Sequence, residues 1–209
     1  MCKVGEVVVS GGVRRSAMIS LSNLSDGRMR HAKSGTWWET APQMALANNS
    51  VSYTDKPDGE TFLREWTSLV ESKSGERGIF NRIAAKKQAA KYGRRDSEHE
   101  FGTNPCSEII LRPYQFCNLT EVVIRADDTS ESLTKKVRLA TILGTAQSTL
   151  TNFPYLRKIW KDNTEEERLL GVSLTGIMDN SLTNGNKIYL PRILIKLREA
   201  AVETNKEWA

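Results

Sequence analysis

Two prolines, Pro105 and Pro113, restrict the backbone of the stretch FGTNPCSEIILRPYQFCNLTE at positions 101–121, as suits a segment that must hold a side chain in place. Within it Asn104, Cys106 and Glu108 alternate with Pro105 and Ser107. If this segment is extended, the period of two puts amide, thiol and carboxylate on one face, the outer two about 13 Å apart with the sulfur between. Such a row suits one small polar substrate: an amide to hydrogen-bond it, a sulfur to react, a carboxylate to move a proton. The same spacing also describes a strand with a buried cysteine and two solvated polar neighbours. On spacing alone that plainer reading leads.

The rest of the composition narrows the classes. Three cysteines without a CxxC pair, and only His31 and His99, argue against a zinc site and against a disulfide scaffold. An odd count in a chain of cytosolic character favours free or redox-active thiols. Hydrophobic content of 39% and charged content of 26% are ordinary for a soluble globular protein. No apolar run approaches membrane-helix length, and the opening MCKVGEVVVSGG lacks the layout of a signal peptide. The expected location is the cytoplasm, of a bacterium or of the host cell if the gene is viral. A net charge of +5 suits phosphorylated partners. The basic pairs Arg14 and Arg15, Lys86 and Lys87, Arg94 and Arg95, and Lys135 and Lys136 are too scattered to form a nucleic-acid groove.

Strand and helix signals alternate along the chain. The β-branched run at 6–10 reads as a short strand ending in Gly11 and Gly12, and an apolar run resumes at 18–21. The two glycines allow close backbone approaches, and Arg14 and Arg15 are cationic forks suited to phosphate or base edges; a plain turn with two solvated arginines is the alternative. Trp37 and Trp38 are expected to anchor a loop to the core. A strand follows Asn48 and Asn49, and Lys56-Pro57-Asp58-Gly59 is a turn. Phe62, Trp66, Leu69 and Val70 predict a helix over 60–72, and Asn81 caps another that reaches toward Gly93. A strand is expected over 118–125. Leu133, Val137, Ala140, Thr141 and Gly144 then mark one face of a long helix. Thr164 with Glu167 three residues later spells a capping box that starts a helical turn. Residues 171–178 read as a buried strand or the lead-in to one. Pro191 opens a last helix with Ile193, Leu197, Ala200, Ala201, Thr204 and Trp208 on one face. This alternation predicts the α/β class.

NPCSE followed by QFCNLTE resembles the active-site finger loop of the ribonucleotide reductase large chain, most closely that of the adenosylcobalamin-dependent (class II) triphosphate reductases. SGGVRRSA, SGERGIFN and LLGVSLTGI are similar to the same family, so the resemblance runs over residues 4–209. It implies a ten-stranded α/β barrel with the finger loop at its centre, of which residues 1–209 supply a part as an internal fragment, inactive alone. By the same resemblance Cys106 carries a thiyl radical that takes the 3′ hydrogen of a ribonucleotide, Glu108 takes the 3′-OH proton, and Asn104 holds a substrate hydroxyl. Cys117 is one half of a redox disulfide whose partner cysteine lies outside this chain. Residues 10–17, with Ser10, Gly11, Gly12, Val13, Arg14 and Arg15, resemble the specificity loop between effector and substrate. The implied cofactor is adenosylcobalamin, with no contact residue identifiable here and no metal site. The implied partners are a ribonucleotide (triphosphate before diphosphate), a deoxynucleotide effector and a thioredoxin-type reductant, with no membrane and no nucleic acid. NPCSE alone does not separate this class from the one that uses a di-iron or dimanganese subunit; the short gap from Cys106 to Cys117 favours cobalamin. The reading from another class is a basic nucleic-acid-binding module with incidental cysteines.

Overall fold

A computed structural model of the chain describes residues 1–10, 16–185 and 187–209. The chain folds as two compact units, Met1–Pro113 and Tyr114–Ala209. It is α/β, with parallel strand pairing in each unit.

The first unit opens on helix α1 (Cys2–Val9), where EVVVS had suggested a strand. β-branched residues favour strands chiefly by fitting a pleated, half-buried surface. Here Val7 and Val8 stay in solvent, and the helix packs instead through buried Gly5, whose position for a Cβ lies 3.3 Å from Ser16 Oγ and 3.4 Å from Leu46. There follow β1 (Met18–Ser22), the single turns α2 (Gly27–Arg30) and α3 (Trp37–Thr40), a 3-10 turn at Pro42–Leu46, β2 (Ala47–Tyr53) and α4 (Gly59–Ser72). Then come β3 (Gly78–Asn81), α5 (Arg82–Ala90), β4 (Gly102–Thr103) and β5 (Ile110–Leu111). Strand β2 is the centre of a parallel sheet ordered β1-β2-β3, with Ile19 opposite Asn48 and Val51 opposite Ile79. Every residue of β2 except Asn48 is buried, as a central parallel strand requires. Asp58 caps α4 by accepting from the Thr61 N–H, and Asn81 caps α5 through the Ala84 N–H, as its sequence predicts.

Helix α4 forms where expected and turns a polar side inward. Its buried face carries Glu65 and Ser68, while Phe62, Trp66 and Val70 are exposed, the two rings stacked at 6.4 Å. The reason is a buried charge cluster. Glu65 accepts from Arg77 Nε (3.0 Å) and Nη2 (2.8 Å) and from Arg30 Nε (2.5 Å), and Arg77 Nη1 donates to Ser22 Oγ at 2.8 Å. A carboxylate between two guanidiniums tolerates burial that a lone one does not. Of the two tryptophans only Trp37 is partly buried, under the Lys33 ammonium; Trp38 is 57% exposed and anchors nothing.

The second unit contains β6 (Asn118–Val123), α6 (Ser130–Ser148), α7 (Lys158–Glu167), β7 (Leu170–Thr175) and α8 (Tyr189–Trp208). Strands β6 and β7 pair in parallel, and the faces predicted for α6 and α8 meet over them in a core of Val122, Ile124, Leu133, Val137, Ala140, Ile193 and Leu197. Thr164 is not a cap. It is buried in the second half of α7, which starts directly after Arg157, and Glu167 accepts a hydrogen bond from Gln115. The strand expected here is β7, which is half-buried and ends at Gly176 with φ of 73°. Among the described residues no helix is long and apolar enough to cross a membrane.

Two outcomes follow from the second unit. A Cβ on Gly176 would lie 2.4 Å from the Ile124 carbonyl oxygen in a backbone region that L-residues avoid. Gly176→Ala should therefore lower stability by about 2 kcal/mol or more, read as a lower urea midpoint. Asp128 joins β6 to α6: its carboxylate accepts from Lys136 Nζ (2.5 Å), Ser132 Oγ (2.7 Å) and the Arg125 N–H (2.8 Å). The Lys136 hydrogen bond foremost, and Ser132 after it, hold the carboxyl down to about 2. A depressed folded-state value gives stability that is present above the unfolded value of about 3.9 and is lost as pH falls through the folded one. The urea midpoint should fall between pH 4 and pH 2, and Asp128→Asn should flatten that part of the profile.

Candidate active site

The segment that carries Asn104, Cys106 and Glu108 is a hairpin tip, not a strand. Thr103 pairs with Ile110, and the Asn104 N–H donates to the Ile109 carbonyl at 3.3 Å, leaving Pro105, Cys106, Ser107 and Glu108 as a four-residue loop. The Ser107 N–H donates to the Asn104 carbonyl at 2.9 Å and closes a β-turn over 104–107. Pro105 is its second residue, where a φ already fixed near −65° fits. Ser107 has a φ of 67°, so the strict alternation of an extended chain does not hold across the tip. The amide, thiol and carboxylate are gathered by a turn and its closing residue, and not by one strand face.

Asn104 makes that turn possible. Its backbone carbonyl is taken by Ser107, so its side-chain Oδ1 accepts the Ile109 N–H at 3.0 Å in place of a main-chain oxygen. Thr103 Oγ1 donates to the Ile109 carbonyl at 3.0 Å and strengthens the same rung. The Asn104 oxygen is thereby occupied, and its Nδ2 is the half suited to donate to a ligand. Cys106 is exposed and unpaired, and Glu108 is exposed two residues on. The exposure of Cys106 removes the plainer reading of a buried core thiol.

The tip is held from below. Asn48 Nδ2 donates to the Pro105 carbonyl at 2.7 Å. On either side of Asn48, Lys33 donates to the Ala47 carbonyl (2.5 Å) and Glu76 accepts from the Asn49 N–H (3.1 Å), and Lys33 and Glu76 pair at 2.8 Å. Glu76 belongs to the SGERGIFN motif, whose work here is to fix β2. The base of the hairpin rests on a small core of Ala85, Ala89 and Phe101, with Phe80 and Ile110 against it. Arg95 lies over the Phe101 ring at 5.2 Å and donates to the Ile110 carbonyl at 2.9 Å. Sequence reasoning missed Asn48 and began the strand after it. The available signal was an asparagine between two residues of a buried strand, which acquires meaning only with the register.

Cys117 belongs to the second unit, half-buried directly before β6 and next to a ring group in which Phe116 lies 5.0 Å from Phe153 and 4.8 Å from Trp160. Ser10 ends α1, its Oγ donating to the Val7 carbonyl at 2.7 Å; Gly11, Gly12, Val13, Arg14 and Arg15 lie outside the described residues. Among the described residues no three of His, Cys, Asp and Glu are grouped to hold a metal ion.

No family model matches the chain, and no solved structure does. Curated relatives do. The chain is 30% identical over 180 residues to the adenosylcobalamin-dependent ribonucleoside-triphosphate reductase of Lacticaseibacillus paracasei, covering 84% of this chain and 23% of that protein. It is 30% identical over 194 residues to the enzyme of the same name from Lactobacillus leichmannii, covering 88% and 25%. With that of Lactobacillus gasseri it shares 31% over 188 residues, covering 84% and 23%. The resemblance read from the motifs thus extends along most of the chain, and the chain spans about a quarter of the length of these relatives.

The hydrogen bonds of Asn104 separate its structural from its chemical part. Asn104→Ala deletes the acceptor of the Ile109 N–H and should destabilise the first unit by about 1 kcal/mol. Asn104→Asp keeps an acceptor and should hold the turn while removing the Nδ2 donor. Urea unfolding of the two variants reads the difference.

Proposed function

We propose that this chain is the thiol-bearing part of an adenosylcobalamin-dependent ribonucleoside-triphosphate reductase, a cytoplasmic enzyme that makes 2′-deoxynucleotides for DNA synthesis by a thiyl-radical route. In this reading residues 1–209 belong to a ten-stranded α/β barrel, with 101–121 as its finger loop. The single observation that carries it is an exposed, unpaired Cys106 on a turn clipped by Asn104 and followed by an exposed Glu108. A thiol meant for core packing would be covered.

The C2′–O bond of a ribose resists cleavage until a radical at C3′ makes the neighbouring hydroxyl a far better leaving group. Cys106, as a thiyl, takes the C3′ hydrogen and becomes a thiol. Glu108 accepts the 3′-OH proton, a role that needs a carboxylate within hydrogen-bond reach. Asn104 Nδ2 donates to a substrate hydroxyl and orients it. The 2′-OH leaves as water with a proton from the redox pair. Cys117 and its partner cysteine, outside this chain, give up two electrons and two protons in becoming a disulfide: one proton leaves in the water, the other with the two electrons becomes the new C2′–H bond, and Glu108 returns its proton to the 3′ oxygen. Cys106 returns its hydrogen to C3′ and is a thiyl again; a thioredoxin-type dithiol then reduces the disulfide. No side chain among the described residues is assigned as a cobalamin contact. What fits the cofactor is the accessibility of the Cys106 sulfur, and when bound it supplies the one-electron oxidation of that thiol. The segment at 10–17 is the specificity loop in this reading, answering to a deoxynucleotide effector.

The basic-module alternative is not favoured: Lys136 is bound to Asp128, and Arg95 is bound to the hairpin base. In the full-length protein, with adenosylcobalamin, a ribonucleoside triphosphate and a dithiol, Cys106→Ser should abolish deoxynucleotide formation. Glu108→Gln should lower kcat by about 10²- to 10⁴-fold, the usual worth of a positioned general base. Deoxynucleotide formation that survives Cys106→Ser would sink the assignment.

A further inference from the structure

The hydrogen bond from Asn48 meets the one peptide group that decides where the Cys106 side chain points. In the β-turn over 104–107 the central peptide consists of the Pro105 carbonyl and the Cys106 N–H. Type I and type II turns differ by a flip of roughly 180° in that peptide, with φ of the third residue near −90° in the first and near +80° in the second. Pro at the second position accepts either. Cys106 is absent from the residues of positive φ, which places this turn on the type I side. The Pro105 carbonyl, so oriented, meets Asn48 Nδ2 at 2.7 Å.

Building on the reductase reading, we propose that Asn48 is a positioning residue that locks the central peptide of the Cys106 turn and thereby sets the direction of the thiol. Its own backbone is unusually well fixed for the task. It stands on the central strand of the sheet, opposite Ile19, between two buried residues whose main-chain groups are held by Lys33 and Glu76. Asn48 itself is exposed, so its amide serves the turn and not the core. A sulfur that must meet one hydrogen of a sugar tolerates little error, since a misplacement of about 1 Å can cost 10²-fold in rate.

The test uses Asn48→Ala and the near-isosteric Asn48→Asp, which lacks the donor. This chain contains a single Pro–Cys peptide. Carbonyl-labelled proline with nitrogen-labelled cysteine therefore isolates the Pro105–Cys106 amide as one NMR signal. Both variants should shift or split that signal, lower the urea midpoint by no more than the loss of one hydrogen bond, and lower kcat about tenfold with KM unchanged. An unchanged Pro105–Cys106 signal in Asn48→Ala overturns the proposal. So does a full kcat in that variant, or an Asn48→Asp variant indistinguishable from the unsubstituted protein. If the unsubstituted full-length protein makes no deoxynucleotide, the reductase reading fails by itself, and the NMR comparison still decides whether Asn48 locks the turn.

Discussion

Burial of the Glu65 carboxylate between Arg77 and Arg30 is the constraint on which the first unit is built. An ion left alone in such a place costs several kcal/mol, so the three side chains enter the interior together or not at all. Their meeting fixes the angle of α4, brings the start of β3 beneath it, and ties both to the end of β1 through Ser22. β2 is caught in the middle, where Ser22 donates to the Ser50 carbonyl, Glu76 accepts from the Asn49 N–H and Arg82 donates to the Ser52 hydroxyl. Tyr53 at its end shows how dry the place is. Burial, and then the negative charge of Glu65, push its hydroxyl upward, with Arg77 pulling the other way.

This is also the part that the sequence did not disclose. The spacing of Phe62, Trp66, Leu69 and Val70 marks a helix but not which side turns inward; partner charges distant in sequence, Arg30 and Arg77, decide that. The same holds at the start, where a valine run became helix α1 because its packing runs through Gly5. Local signals succeeded where local physics decides. Asn81 caps the helix it precedes, and most of the α6 and α8 stripes lies on their buried faces, with Trp208 at the end of α8 left 56% exposed.

The candidate site divides along the same line. Cys106, Glu108 and Asn104 were read as candidates from residue type and by resemblance, and Pro105 as a backbone restraint, but the turn that they share was not. An Asn-Pro pair supports a turn as readily as an extended run, and only the pairing of Asn104 with Ile109 shows which one occurs. Asn48 was invisible as a site residue. Its contact with the tip joins positions 57 apart, a separation that no local periodicity encodes.

A turn answers two demands that a strand meets less well. On the proposed reductase reading, the sulfur must be open to whatever generates and receives the hydrogen atom, which favours a loop tip. It must also stay still, which loop tips ordinarily do not, since few buried contacts hold them. Here the stillness comes from hydrogen bonds in place of burial. Ser107 closes the turn on Asn104, Asn104 closes the loop on Ile109, and Asn48 ties the tip to the sheet. Each net contribution is modest, about 1 kcal/mol. Together they restrain the peptide before the cysteine, the peptide after it and the loop ends, without covering the sulfur. Burying Cys106 would have fixed it equally well and removed it from reach.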